Sequence, residues 1–79
     1  MSASSEQGRN RDKIRVRVNG ERVETRPGST ISDLLEELSL APDRVAVELN
    51  LQIVRRADWA TTRLDDGARL EVVQFVGGG

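Results

Sequence analysis

The last five positions, Phe75-Val76-Gly77-Gly78-Gly79, hold the group best suited to covalent chemistry in this chain. Read as the end of the polypeptide, Gly79 offers a main-chain carboxylate that is ionised at neutral pH and can attack an activated phosphate. Glycine suits the task because a backbone without Cβ threads a narrow channel, takes either sign of φ and leaves its carboxylate unhindered. At a background of about 7% Gly, three terminal glycines arise by chance in roughly 0.03% of chains. A frayed tail or an engineered remnant is the competing reading. Catalysis would have to come from partners. The chain has no His and no Cys, so the usual neutral-pH base and the thiolate nucleophile are both missing.

The body that presents this tail is small. Seventy-nine residues make one domain, which buries only about 60% of its unfolded surface and leaves no room for a deep active-site cavity. With 37% hydrophobic residues and a single Phe and a single Trp, the core must be aliphatic. Twelve basic residues against thirteen acidic ones give a net charge of −1, which argues against nucleic-acid binding driven by counterion release. Zinc would have to be held by carboxylates alone, and disulfides are excluded. The start MSASSEQGRNRDK has no apolar run for a signal peptide. No stretch approaches the roughly 20 apolar residues of a membrane helix. A soluble, cytoplasmic protein is expected.

Residues 1–12 are polar, without periodicity, and read as a disordered arm; a basic arm that grips a partner is the alternative. From Lys13 the pattern changes. Ile14, Val16 and Val18 alternate with Arg15 and Arg17, the period of a half-buried strand. Asn19-Gly20 follows, and a type I′ turn needs positive φ at both positions. A two-residue loop sets Val16 opposite Val23, Ile14 opposite Thr25, Arg15 opposite Glu24 and Arg17 opposite Arg22. The last pair should cost a little. Pro27-Gly28 ends the second strand, and Thr30 with Asp33 forms a weak capping box for a helix whose apolar stripe is Ile31, Leu34, Leu35 and Leu38. Ser32, Asp33, Glu36 and Glu37 fall on the other side, as a solvated face or an acidic docking surface. Pro42 stops that helix or closely follows its end.

Val45, Val47 and Leu49 give a third strand, Asn50-Leu51 a turn, and Gln52 to Val54 a short fourth strand. Asp58 is expected to cap a single helical turn holding Trp59. Asp65-Asp66-Gly67 marks a tight turn, after which Leu70, Val72 and Gln74 alternate against Glu71, Val73 and Phe75. The order β-β-α-β-β-β predicts an α+β fold, a mixed sheet of four to five strands with one main helix on one face. First and last strands should pair in parallel at the sheet centre through a right-handed crossover.

The element order, the segments STISDLLEEL, VAVELNLQIV, RRADWA and LDDGARLEVV, and the ending VGGG resemble the ThiS family of sulfur carriers of thiamin biosynthesis, relatives of MoaD. Similarity covers Ile14 to Gly79. The resemblance implies a ubiquitin-like β-grasp over residues 13–76 and a flexible glycine tail at 77–79. It implies a monomeric carrier, not an enzyme and without a bound cofactor. Its Gly79 carboxylate would be adenylated by a ThiF-type enzyme with ATP. Conversion to a thiocarboxylate would use sulfur from a donor such as a cysteine desulfurase, and the thiazole synthase ThiG would take that sulfur. Gly79 would be the modified residue, Gly78 and Gly77 its flanking glycines. A MoaD-like carrier for molybdopterin, a ubiquitin-like modifier and a plain interaction module are the alternatives. Leu51, where relatives often have Gly or a polar residue, and Arg55, where Pro is common, depart from the family pattern.

Phe75 and Val76 lie between sheet and glycines, where an enzyme accepting the tail must pass, so they are candidate partner contacts; alternatively Phe75 packs on the body. Leu51 is a further candidate. Trp59 reads as the edge of the core rather than a ligand contact. Arg55 and Arg56 could meet an acidic partner or stay solvated.

Overall fold

The computed structural model describes residues 13–75; the expected arm at 1–12, Val76 and the expected tail at 77–79 lie outside the described residues. Strand β1 (Ile14–Val18) turns at Asn19-Gly20 into β2 (Glu21–Thr25), with φ of 53° and 85° at the two turn residues. The register is the one the two-residue loop dictates, residue for residue from Ile14 opposite Thr25 to Val18 opposite Glu21. On the exposed side, Arg15 Nε lies 3.8 Å from Glu24 Oε2.

Helix α1 (Ile31–Glu37) begins with the expected capping box. Thr30 Oγ1 accepts from Asp33 N at 3.1 Å, and Asp33 Oδ2 accepts from Thr30 N at 3.0 Å. The helix ends at Glu37, before Pro42, because Ser39 adopts a φ of 59°. Pro42 instead starts a 3-10 turn, Pro42–Arg44, where its missing N–H costs nothing. Strands β3 (Val45–Leu49) and β4 (Gln52–Val54) then form a second hairpin.

The segment after β4 differs from the sequence expectation. A 3-10 turn covers Arg56–Asp58, with Arg55 before it and no side-chain cap. Asp58 is its last residue, and the Asp58 carbonyl accepts from Thr61 Oγ1 and Thr62 Oγ1 at 3.2 and 2.6 Å. Tertiary contacts override the local capping tendency here. Trp59 is only 3% exposed and its indole N–H donates to the Val54 carbonyl at 2.8 Å. Trp59 is therefore a core residue whose polar handle is satisfied.

Strand β5 (Arg69–Gln74) completes a five-stranded sheet in the order β2-β1-β5-β3-β4. It runs parallel to β1 and antiparallel to β3, so the last strand occupies the middle of the sheet. The inner face is aliphatic. Val16, Val47 and Leu70 from the strands pack with Ile31, Leu34 and Leu35 of α1, all essentially inaccessible to solvent. Leu64 and Ala68 join this core from the loop before β5. Gln74, on the same side of β5 as Leu70 and Val72, is exposed. Among the described residues no helix is long and apolar enough to cross a membrane.

Candidate functional site

The candidate site is the point where β5 leaves the sheet. Val45 lies opposite Gln74 in the β3–β5 ladder, and Phe75 N donates to the Arg44 carbonyl at 2.8 Å. That bond fixes the backbone one residue beyond the strand and one residue before Val76. The Phe75 side chain is 58% exposed. It is not part of the core, and more than half of it faces solvent.

Four constraints hold β5 in place up to this exit. On the β1 side, Arg17 N donates to Ala68 O at 2.8 Å and Asn19 N to Leu70 O at 2.9 Å. The Asn19 side chain extends the ladder beyond its own turn. Its Oδ1 accepts from Val72 N at 2.7 Å and its Nδ2 donates to Val72 O at 3.1 Å. On the β3 side, Asn50 does the same in another form. Asn50 N donates to Arg69 O at 2.7 Å, and Asn50 Oδ1 accepts from Arg69 N at 3.0 Å. Finally, at the entrance to β5, Gly67 N donates to Arg15 O at 2.6 Å and Asp66 Oδ1 accepts from Arg15 N at 2.8 Å. Each hairpin turn thus supplies an Asn that grips the central strand. The sequence marks both Asn residues as turn formers but gives no sign of this second role, since it depends on contacts 53 and 19 residues away.

Leu51 sits in the second turn, with φ of 51° at Asn50 and 72° at Leu51. A leucine holds a left-handed position that glycine fills in the first turn, at a cost of roughly 1 kcal/mol. Its side chain is 77% exposed. The turn is joined to Arg69, the first residue of β5, whereas Phe75 follows the last. At the rise of an extended strand the two ends stand about 20 Å apart. Leu51 and Phe75 therefore belong to opposite ends of the sheet.

The outer face, turned away from α1, has an apolar end beside the exit. Val73 is 58% exposed and lies opposite Ala46. Ile53, 77% exposed on the edge strand β4, lies opposite Glu48, in the row of Glu71 and not beside Val73. Alternation already places Val73 and Phe75 on the side of Glu71. Ile53 is missed because a strand of three residues carries too little period to assign a face. Arg55 and Arg56 are exposed at the start of the second 3-10 turn. A groove of about 320 Å³ between α1 and Trp59, bounded by Leu35, Leu40 and Pro42, opens on the helix side of the molecule. Glu37 also works within the fold, its Oε1 accepting from the buried Thr25 hydroxyl at 3.0 Å. No described group of three acidic residues is gathered closely enough to hold a metal ion.

Comparison with known proteins places this geometry. The ThiS family model matches residues 15–79. The chain is 30% identical over 66 residues to the sulfur carrier protein ThiS of Escherichia coli, covering all of that protein and 84% of this one. It is 39% identical over 66 residues, again 84% of the chain, to a thiazole synthase of Paramagnetospirillum magneticum, but spans only 20% of that relative's length. A crystal structure of the thiamine biosynthesis protein ThiS from Geobacter metallireducens superposes with a TM-score of 0.72 at 30% identity, covering 84% of this chain and all of the other. A designed protein based on human ubiquitin, 15% identical with a TM-score of 0.51 over 86% of this chain and 96% of its own, shares the fold.

Proposed function

This chain belongs to the ThiS family, and from that premise we propose that it is a sulfur carrier of thiamin biosynthesis with Gly79 as the atom-carrying end. The Gly79 carboxylate attacks the α-phosphorus of ATP in the site of a ThiF-type enzyme, and pyrophosphate leaves. The resulting acyl adenylate is a mixed anhydride. The outer sulfur of a persulfide on a donor such as a cysteine desulfurase adds to the carbonyl carbon and AMP departs, leaving an acyl disulfide. A thiol then attacks the donor-side sulfur, releasing the thiocarboxylate and forming a disulfide with the donor. The terminal thiocarboxylate then gives its sulfur to a thiazole synthase of the ThiG type. The chain acts as a co-substrate in each step and supplies no acid or base.

The observation that supports this reading most is the family match running through residue 79 on a chain whose central strand is the last described element before those glycines in sequence. Binding energy comes from the folded body, and the reacting group follows that body in the sequence. This separation lets one carrier present the same tail to several enzymes, each of which gains from holding the reacting end in place. The relatedness to a segment of a thiazole synthase supports that enzyme class as a recipient.

Incubation with ATP, the ThiF-type enzyme of the same organism and a sulfur donor, followed by intact mass, tests the proposal. The expected product carries the small mass gain of sulfur replacing oxygen, localised to Gly79. An unchanged mass, with no AMP adduct, rejects it. Loss of the gene should create a requirement for thiazole and not for molybdopterin.

A further inference from the structure

Across the outer face, Arg22, Arg17 and Arg69 stand directly opposite one another on β2, β1 and β5. All three are exposed. At ordinary strand spacing the row spans about 10 Å. Like charges in directly opposed positions work against the sheet. The ion pair present among the described residues joins Arg15 to Glu24, one pleat away, and involves none of the three. Shallow depressions flank Arg17, one bounded by Gly20, Leu51 and Arg69, the other by Arg15, Arg22 and Gly67. Among the described residues the three arginines have no ion-pair partner within 4.0 Å, and their like charges work against the sheet.

We propose that this arginine row docks a protein surface bearing two or three carboxylates spaced about one strand apart, on an enzyme that accepts the tail. The identity of that enzyme rests on the carrier reading; the charge match does not. A nucleic acid fits less well. Glu71 and Glu48 are directly opposed on the same face, one pleat beyond the row, and a phosphate backbone crossing the arginines would run over them. The whole chain also carries a net charge of −1. A protein surface can set acids against the row and a base or water against the glutamates.

The order along β5 gives the docking a direction. Arg69, Glu71 and Val73 follow one another on the outer face of β5, with the exposed Phe75 next after the strand, so that face runs from basic through acidic to apolar toward the end of the strand. A partner with the complementary order accepts the sheet in one orientation, the one that leads Gly77–Gly79 into its site. Complementary charge of this kind acts mainly on association rate and on register.

The test compares wild type with Arg17→Glu/Arg69→Glu for association with the ThiF-type enzyme and the thiazole synthase of the same organism, over a range of salt. The double reversal should slow association with at least one enzyme by about tenfold or more at low salt. The gap should close near ~0.5 M salt, where screening is nearly complete. Arg17→Gln/Arg69→Gln should fall between the two and melt no lower than wild type, which keeps the test valid if the reversal misfolds. Equal rates with both enzymes at every salt concentration would overturn the proposal. So would tighter arginine-dependent binding of wild type to a duplex RNA probe than to either enzyme. Intact mass after reaction with ATP and a sulfur donor separates the two readings. A mass gain with unaffected variant binding removes the docking row alone. Arginine-dependent binding with no mass gain removes the carrier reading alone.

Discussion

The two faces of the sheet obey different rules. The inner face is built from Val16, Val47 and Leu70 under Ile31, Leu34 and Leu35, with nearly no solvent contact. The outer face carries opposed arginines, opposed glutamates and two apolar side chains left more than half exposed, Ile53 and Val73, with the exposed Phe75 next after β5. One face lowers the free energy of the fold. The other gives up some of it, and under the proposed docking it does so for a surface that serves another molecule. Stability and recognition are therefore carried by alternate residues of the same strand, β5, and should be separable by mutation.

The largest contrast should come from truncating neighbours on that strand. Leu70→Ala, in the core, is expected to lower unfolding free energy by about 2–5 kcal/mol, and Val73→Ala, on the outer side, by no more than about 0.5 kcal/mol. Urea denaturation measures both. Equal losses would erase the distinction between faces. A smaller effect should follow from Asn19→Ala, which leaves the Val72 N–H and carbonyl without their side-chain partners. A loss of about 1–3 kcal/mol is expected, with faster hydrogen exchange at Val72 as the local signature. Unchanged exchange there would remove Asn19 as a clamp on β5.

Leu51→Gly should stabilise the chain by about 1 kcal/mol by relieving the left-handed leucine, visible as a higher Tm. The reverse change at the matching turn position, Gly20→Leu, should destabilise. If Leu51→Gly is neutral in Tm, the leucine is held by contacts that offset its strain. Smallest of all, Arg17→Thr should shift unfolding free energy upward by a few tenths of a kcal/mol, since it removes the centre of the like-charge row. A clear loss of stability would show that the row supports the sheet.

Much of the fold was legible because its signals are local. Asn19-Gly20 fixes a loop length, and loop length fixes the register of β1 on β2. Thr30 and Asp33 mark the helix start for the same reason, a bond between residues three apart. The parallel pairing of β1 with β5 follows from topology rules that need only the order of elements. Three features stayed hidden. Asp58 looks like a cap in isolation, but the burial of Trp59 and the pairing of Thr30 with Arg63 decide that segment. Leu64 and Ala68 enter the core from a stretch without strand period. The arginine row needs three strands to be aligned before it exists, and Arg17 opposite Arg22 was its visible half. At the candidate site, the exposed exit of Phe75 is a matter of packing, and the glycines beyond it were identified by composition and family resemblance.

The placement of β5 has a mechanical corollary. An enzyme that draws the glycine end into a narrow tunnel exerts tension along a strand bonded on both edges, so the load falls on two ladders in shear at once. Peeling from a rim would break bonds one by one; here they must yield together. Under the proposed carrier role, a pull applied beyond Phe75 therefore meets the resistance of the whole central strand.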